Sequence, residues 1–165
     1  MSSSLYKVIE NTPQQKVLLL SWDEIKRTIN FLDNMYKFER KKAVQLKYNR
    51  VLQNINTSVY QHIIDTELHI DNINSFGKQN KYTLVKNRYP YNFGTNLHYV
   101  LWIHPNCDKS TKSKIFNKDY IDLLLHELLE NTDLLGNKDY IVFRNAHINQ
   151  SINMIDHFHI IFKCE

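Results

Sequence analysis

The sequence predicts an α+β domain in which an N-terminal helical layer packs on a mostly antiparallel sheet. Three observations predict it. Capped stretches with helical apolar spacing fill residues 21–70, runs rich in aromatic and β-branched residues dominate 82–165, and one helical pattern interrupts those runs, for an order β-β-α-β-β. At 165 residues the chain supports one hydrophobic core and is short for two, so 21–165 reads as a single domain. A hydrophobic share of 42% against 23% charged residues sets it apart from chains that stay disordered.

Residues 1–20 read as a flexible segment, mostly polar through Gln15. Ser21-Trp22-Asp23-Glu24 is a capping box, in which the Ser hydroxyl and the Glu carboxylate each accept from the other's backbone N–H. Ile25, Ile29, Leu32 and Tyr36 continue that helix at helical spacing. Val44, Leu46, Tyr48, Val51, Leu52 and Ile55 predict a second helix among Lys and Arg. Thr57-Ser58 caps a third with a stripe of Val59, Tyr60, Ile63, Ile64 and Leu68. The stretch from Asp71 to Lys81, with Asn, Ser and Gly77, reads as a turn-rich linker.

Tyr82 to Asn87 reads as a strand, Pro90 and Gly94 punctuate a loop, and Leu97 to Ile103 forms a second strand with His98, Val100, Trp102 and His104 on one face. Cys107 to Asn117 reads as a lysine-bearing loop. Ile121, Leu124, Leu125 and Leu128 mark a helix ending near Leu135-Gly136. Tyr140 to Arg144 and Ile155 to Lys163 close the chain as strands. On the last one Ile155, His157, His159 and Ile161 share a face and Phe158, Ile160 and Phe162 the other.

A net charge of +4 favours anionic ligands, yet it is too small to indicate nucleic-acid binding without a clustered basic face. Phosphorylated small molecules fit equally. Lys37, Arg40, Lys41, Lys42, Lys47 and Arg50 hold no single helical face and read as solvated surface. Cys107 and Cys164 have no metal or redox spacing and read as free thiols in a reducing compartment. No apolar run suits a bilayer and the first residues lack a signal-peptide pattern, so a soluble, intracellular (cytoplasmic) protein without a membrane partner is expected. There is no Walker loop or Rossmann fingerprint, and no cofactor is expected.

The chemistry-bearing residues cluster late in the chain. His157 and His159 are the candidate catalytic pair, because groups that titrate near neutrality serve phosphoryl transfer, proton transfer and metal binding alike. One reading makes a histidine the nucleophile that attacks phosphorus. Another makes the pair metal ligands with His98 or His104 as a third. The plain reading is two half-buried polar strand residues. Asn145, Gln150 and Ser151 just upstream can orient ribose or phosphate oxygens, or simply build a turn. Lys86 to Tyr91, with Asn87 and Arg88, combines cations, aromatic rings and a rigid turn suited to anion or base recognition. His126-Glu127-Leu128-Leu129-Glu130 lacks the second histidine of a zinc-protease helix and is set aside.

Asn87-x-Tyr89-Pro90-Tyr91, His98-x-x-x-Trp102, Phe143-Arg144-Asn145-x-x-x-x-Gln150-Ser151-Ile152 and His157-Phe158-His159 together resemble the N-acetylglucosamine-induced protein family of fungi and large DNA viruses, from about Trp22 to the C-terminus. That family brings no settled activity with it. Tyr89, Asn92 and Ala146 depart from its pattern. The strand order and the Asn…Gln-Ser…His-x-His ending are also similar to the histidine-triad nucleotide hydrolases and transferases. That resemblance implies His157 as nucleophile, His159 on the phosphate, and Ser151, Asn145 and Gln150 around ribose, phosphate and leaving group. His98, Arg88, Asn87, Tyr91 and Trp102 complete the candidate substrate-binding residues. Ile155 stands at the first triad position, and Ser151 lies one residue farther from the pair than usual, a spacing that a β-bulge would restore.

Three functions follow as expectations. The first is hydrolysis or transfer at a nucleotide or nucleotide-sugar phosphate, with Arg88, Lys86 or Lys109 offering charge. The second is a non-catalytic module binding a nucleotide, a capped RNA 5′ end or a protein. The third is a metal enzyme using His98, His157 and His159.

Overall fold

The computed structural model describes residues 19–68, 75–78, 81–135 and 139–164. The expectations for residues 1–18 and for the helix end at Gly136 lie outside them. Helices α1 (Trp22–Thr28), α2 (Lys42–Gln53) and α3 (Val59–Thr66) precede strands β1 (Ser75–Lys78), β2 (Tyr82–Lys86) and β3 (Leu97–Ile103). Then come α4 (Lys109–Lys114), α5 (Lys118–Leu129), β4 (Tyr140–Phe143), a single 3-10 turn at His147–Asn149, and β5 (His157–Phe162). The five strands form one antiparallel sheet in the order β1-β2-β3-β5-β4. The last strand is thus inserted between β3 and the edge strand β4, where both of its faces are buried.

Local chemistry starts α1 and α3 where the sequence places them. Ser21 and Glu24 form the reciprocal capping box of α1. The Ser58 hydroxyl accepts from the Gln61 N–H at the start of α3.

Four expectations need correction. Helix α1 stops at Thr28 rather than running to Tyr36, because the following segment pairs with the chain just beyond β4. There the Arg144 N–H donates to the Phe31 carbonyl, and the Asn34 and Ala146 N–H groups donate to Arg144 and Asn34 carbonyls. The linker contains β1, whose Gly77 has the Tyr82 carbonyl oxygen 2.3 Å from where a Cβ would sit, so only glycine fits the hairpin. The lysine-bearing loop contains α4, capped by Asp108, whose carboxylate accepts from the Thr111 N–H at 2.8 Å. The order is therefore β-β-β-α-α-β-β after the helical layer, not β-β-α-β-β.

The two faces of the sheet are built differently. One buries Leu84, Leu101, Phe158, Ile160 and Phe162 against Ile121, Leu124, Leu125 and Leu129 of α5 in one continuous apolar cluster. On the other face the apolar packing is split. Ile25 of α1 joins Phe93, Ile141, Phe143 and Ile161, while Ile63 of α3 joins Val85, Val100, Trp102 and Ile155. The histidines lie on this second face, in register between the two clusters: Val100 pairs with His159 and Trp102 with His157. The ladder from Leu97–Phe162 to Trp102–His157 is unbroken, and Gln150–Asp156 is irregular chain rather than a bulged strand.

Candidate functional site

A cleft opens on the histidine face, walled by α2, α3, the 87–91 loop and the 145–152 segment. Most of its lining is apolar, with a few convergent polar groups. Its narrow interior leaves about 80 Å³ open to water, so a phosphate-sized group fits inside with the rest of a ligand toward the mouth.

Nine of the ten residues singled out from the sequence line it: His157, His159, Ser151, Asn145, Gln150, Arg88, Asn87, Tyr91 and Trp102. The tenth does not. His98 sits behind the wall, 3% exposed, with its Nε2 2.9 Å from Nδ1 of His159, so its role as a direct substrate contact is corrected to support of His159. Lys86 and Lys109 also lie outside the cleft wall. Ser151 is held through its Oγ, which accepts from the Tyr48 hydroxyl at 2.8 Å, and Gln150 spends its amide N–H on the Asn145 carbonyl.

The sequence reading missed Arg40. Taken for solvated surface, it is half-buried in the cleft wall. Its guanidinium lies over the rings of Tyr48 and Tyr91, at 4.2 and 4.8 Å from their centroids, and its Nε donates to the Tyr89 carbonyl at 2.7 Å. No carboxylate forms an ion pair with it among the described residues. The aromatic residues at 48, 89 and 91 were the only sequence signal for that seat, and they are remote from residue 40 in the chain. Asn34 was also missed, since nothing local marks a lone Asn as a partner of Asn145 across the fold.

His157 has the geometry of a neutral base. Its Nδ1–H donates to the Ile155 carbonyl at 2.8 Å, which leaves the lone pair on Nε2, and no hydrogen bond engages that atom among the described residues. Burial lowers its pKa, outweighing the Ile155 carbonyl, which works to raise it. The ring packs 4.6 Å from Trp102, whose buried indole N–H has no hydrogen-bond partner among the described residues.

His159 closes a chain of hydrogen bonds that holds one donor too many. At one end the Tyr91 backbone N–H, which can only donate, meets Nδ1 of His98 at 3.2 Å. At the other, Asn34 gives its amide N–H to the Tyr36 carbonyl and to Oδ1 of Asn145. Asn145 is thereby turned so that its own NH2 faces the Tyr91 hydroxyl at 3.0 Å and Nε2 of His159 at 3.2 Å. Two neutral imidazoles in series supply one donor and one acceptor each, so donors at both ends leave one donor facing another. If the Tyr91 and His98–His159 bonds form, the clash falls between Asn145 and His159, both on the cleft wall. An acceptor oxygen placed there takes both N–H groups. The same crowding opposes protonation. Burial, followed by Arg40, holds His98 at about 3, and burial, followed by His98, His157 and Arg40, keeps His159 well below the ordinary imidazole value.

His98 and His159 turn ring nitrogens toward each other, His104 lies outside the cleft wall with its Nδ1 accepting from the Asn106 N–H, and no group of three His, Cys, Asp or Glu converges on a metal position among the described residues.

Residues 21–163 match the model of a family described as Protein of unknown function (DUF3605). The chain belongs to that family. A solved structure described as Crystal Structure of HTC1 shares the fold at a TM-score of 0.53 and 19% identity, over 87% of this chain and 85% of that one. No curated protein matches the sequence. Among the described residues of this family member, no helix is long and apolar enough to cross a membrane.

Proposed function

We propose that the cleft binds a nucleotide or nucleotide-sugar phosphate and that His157 attacks its phosphorus, giving hydrolysis or transfer of the phosphoryl-bearing group. The observation that carries this reading is the surplus of donors around a free imidazole lone pair. One donor is in surplus along the Tyr91–His98–His159–Asn145 chain, and among the described residues the Trp102 indole N–H is unpartnered and Arg40 has no carboxylate partner. Such a wall favours an anion with several oxygens.

In the first step the Nε2 lone pair of His157 forms the P–N bond as the P–O bond to the leaving phosphate breaks. The leaving group departs as an anion and needs no proton. That suits a site where both neighbouring histidines are held neutral. The Ile155 carbonyl keeps hold of Nδ1–H and stabilises the positive ring of the adduct. Water, or an acceptor hydroxyl, then attacks phosphorus, the P–N electrons return to Nε2, and one proton goes to solvent. His159 serves as a neutral N–H donor to a phosphoryl oxygen rather than as an acid. The histidine-triad likeness agrees in the shared face of His157 and His159 and in the upstream Asn145 and Ser151, with Ile155 in place of the first histidine.

The test is turnover of a panel of nucleoside diphosphates and nucleotide sugars, with intact-mass detection of a phosphohistidine adduct. The wild-type protein is expected to turn over at least one member, and His157→Ala to lose about a thousandfold or more in rate while its melting temperature holds. Full activity in that variant would refute the assignment.

A binding-only function is favoured by one observation. Among the described residues of the cleft wall the single carboxylate is Glu67, on α3, and no base stands ready to activate water. Calorimetric binding of the same panel with no turnover would select this second reading.

A further inference from the structure

The cleft wall carries two groups of opposite hydrogen-bonding character. Arg40, Tyr48, Tyr91, Asn145, Ser151 and His159 are joined by direct contacts and form the donor-rich group. Glu67 lies at the C-terminal end of α3, with Arg88 beside it. Its side chain is 13% exposed, it faces Nε of Arg88 at 3.5 Å, and its carboxylate accepts no hydrogen bond among the described residues. It is a half-buried acceptor with unused capacity. Burial raises its pKa, an effect that Arg88 and His62 partly offset.

Much of the remaining lining is apolar, supplied by Val51, Leu52, Ile55, Val59, Ile63 and Val85. Such walls suit a flat ring system and penalise a polyhydroxylated sugar, whose hydroxyls would be buried without partners. A carboxylate has two acceptor oxygens side by side and is best matched by two adjacent N–H donors. Among the common bases, guanine alone presents that pair, N1–H and N2–H. Adenine and cytosine put one donor next to an acceptor, and uracil sets one donor between two acceptors.

We propose that the cleft selects guanine nucleotides, with the phosphate at the Arg40–His159 group and the N1–H/N2–H edge of the base on the Glu67 carboxylate. This rests on the anion-binding reading of the site and names its substrate class.

The experiment is calorimetric titration of the full chain with 5′-GMP, 5′-IMP, 5′-AMP, 5′-CMP and inorganic phosphate. GMP is expected to bind about tenfold more tightly than AMP, with IMP, which lacks the N2 amine, between them. Glu67→Gln keeps the shape and removes the paired acceptor, and it should bring GMP down to AMP while leaving inorganic phosphate unchanged. Its melting temperature, measured alongside, separates a lost contact from a lost fold. Equal binding of the purines to the wild-type protein overturns the proposal, and so does an equal loss for every ligand in Glu67→Gln or a failure of every nucleotide to bind. The reaction is judged separately. A guanine preference without any phosphohistidine leaves Glu67 in its role and removes His157 from its own, whereas turnover without base preference does the reverse.

Discussion

The two faces of the sheet come from the same strands, yet one is a continuous apolar cluster and the other is split around a polar site. On β5 the contrast is between neighbours: Phe158, Ile160 and Phe162 are fully buried against α5, while His157 and His159, 8% and 5% exposed, look into the cleft. Burial alone therefore does not separate core from site. What separates them is partnership. The apolar face needs only close packing, whereas each polar atom on the opposite face must find a partner, and several donors find none.

The sharpest way to break the comparison is to cut one residue from each side. Phe158→Ala should cost about 3–5 kcal/mol of unfolding free energy, read by denaturant melts, because the ring is wholly buried and the cavity cannot collapse. His157→Ala, one position away, should leave most of the stability and lose turnover. Equal destabilisation by both would mean that the histidine face is core.

Acid should discriminate next. His98, His157 and His159 have native pKa values below the unfolded value near 6.5. Above that value all are neutral in both states and there is no pH term. As pH falls below about 6.5 the unfolded chain takes up protons that the native site refuses, so stability drops until the native pKa is reached, about 3 for His98. The expected loss is on the order of a few kcal/mol by pH 4. His98→Phe should flatten that slope in urea melts between pH 7 and pH 4, and a wild-type profile without a slope would contradict neutral burial of the pair.

The smallest effect lies at the start of α1, outside the cleft wall. Ser21→Ala removes the capping box of α1 and should cost about 1 kcal/mol without altering ligand binding, since α1 lines the apolar cluster beside the cleft and not the cleft wall.

Much of this was legible before any coordinates. Alternation on β5 fixed which side chains share a face, because side-chain direction in a strand has period two whatever surrounds it, and β5 keeps that pattern. The caps at Ser21 and Ser58 were equally readable, since a cap needs only three or four neighbouring residues. The same rule applied at Asp108 and Thr111 would have revealed α4. Apolar spacing at Ile29 and Leu32 extends α1 too far, because it says nothing about residues 144–146, which capture the segment after Thr28.

The sequence by itself determined the class of fold, the strand carrying the paired imidazoles and most of the residues around them. Only the tertiary structure decided that β5 inserts between β3 and β4, that Arg40 reaches the cleft, that His98 stands behind His159, and that Asn34 orients Asn145 from 111 residues away. The division has one physical cause. Faces, caps and turns are set by covalent geometry over a few residues, whereas hydrogen-bond partners and charge environments depend on which distant segments the burial of apolar surface happens to bring together.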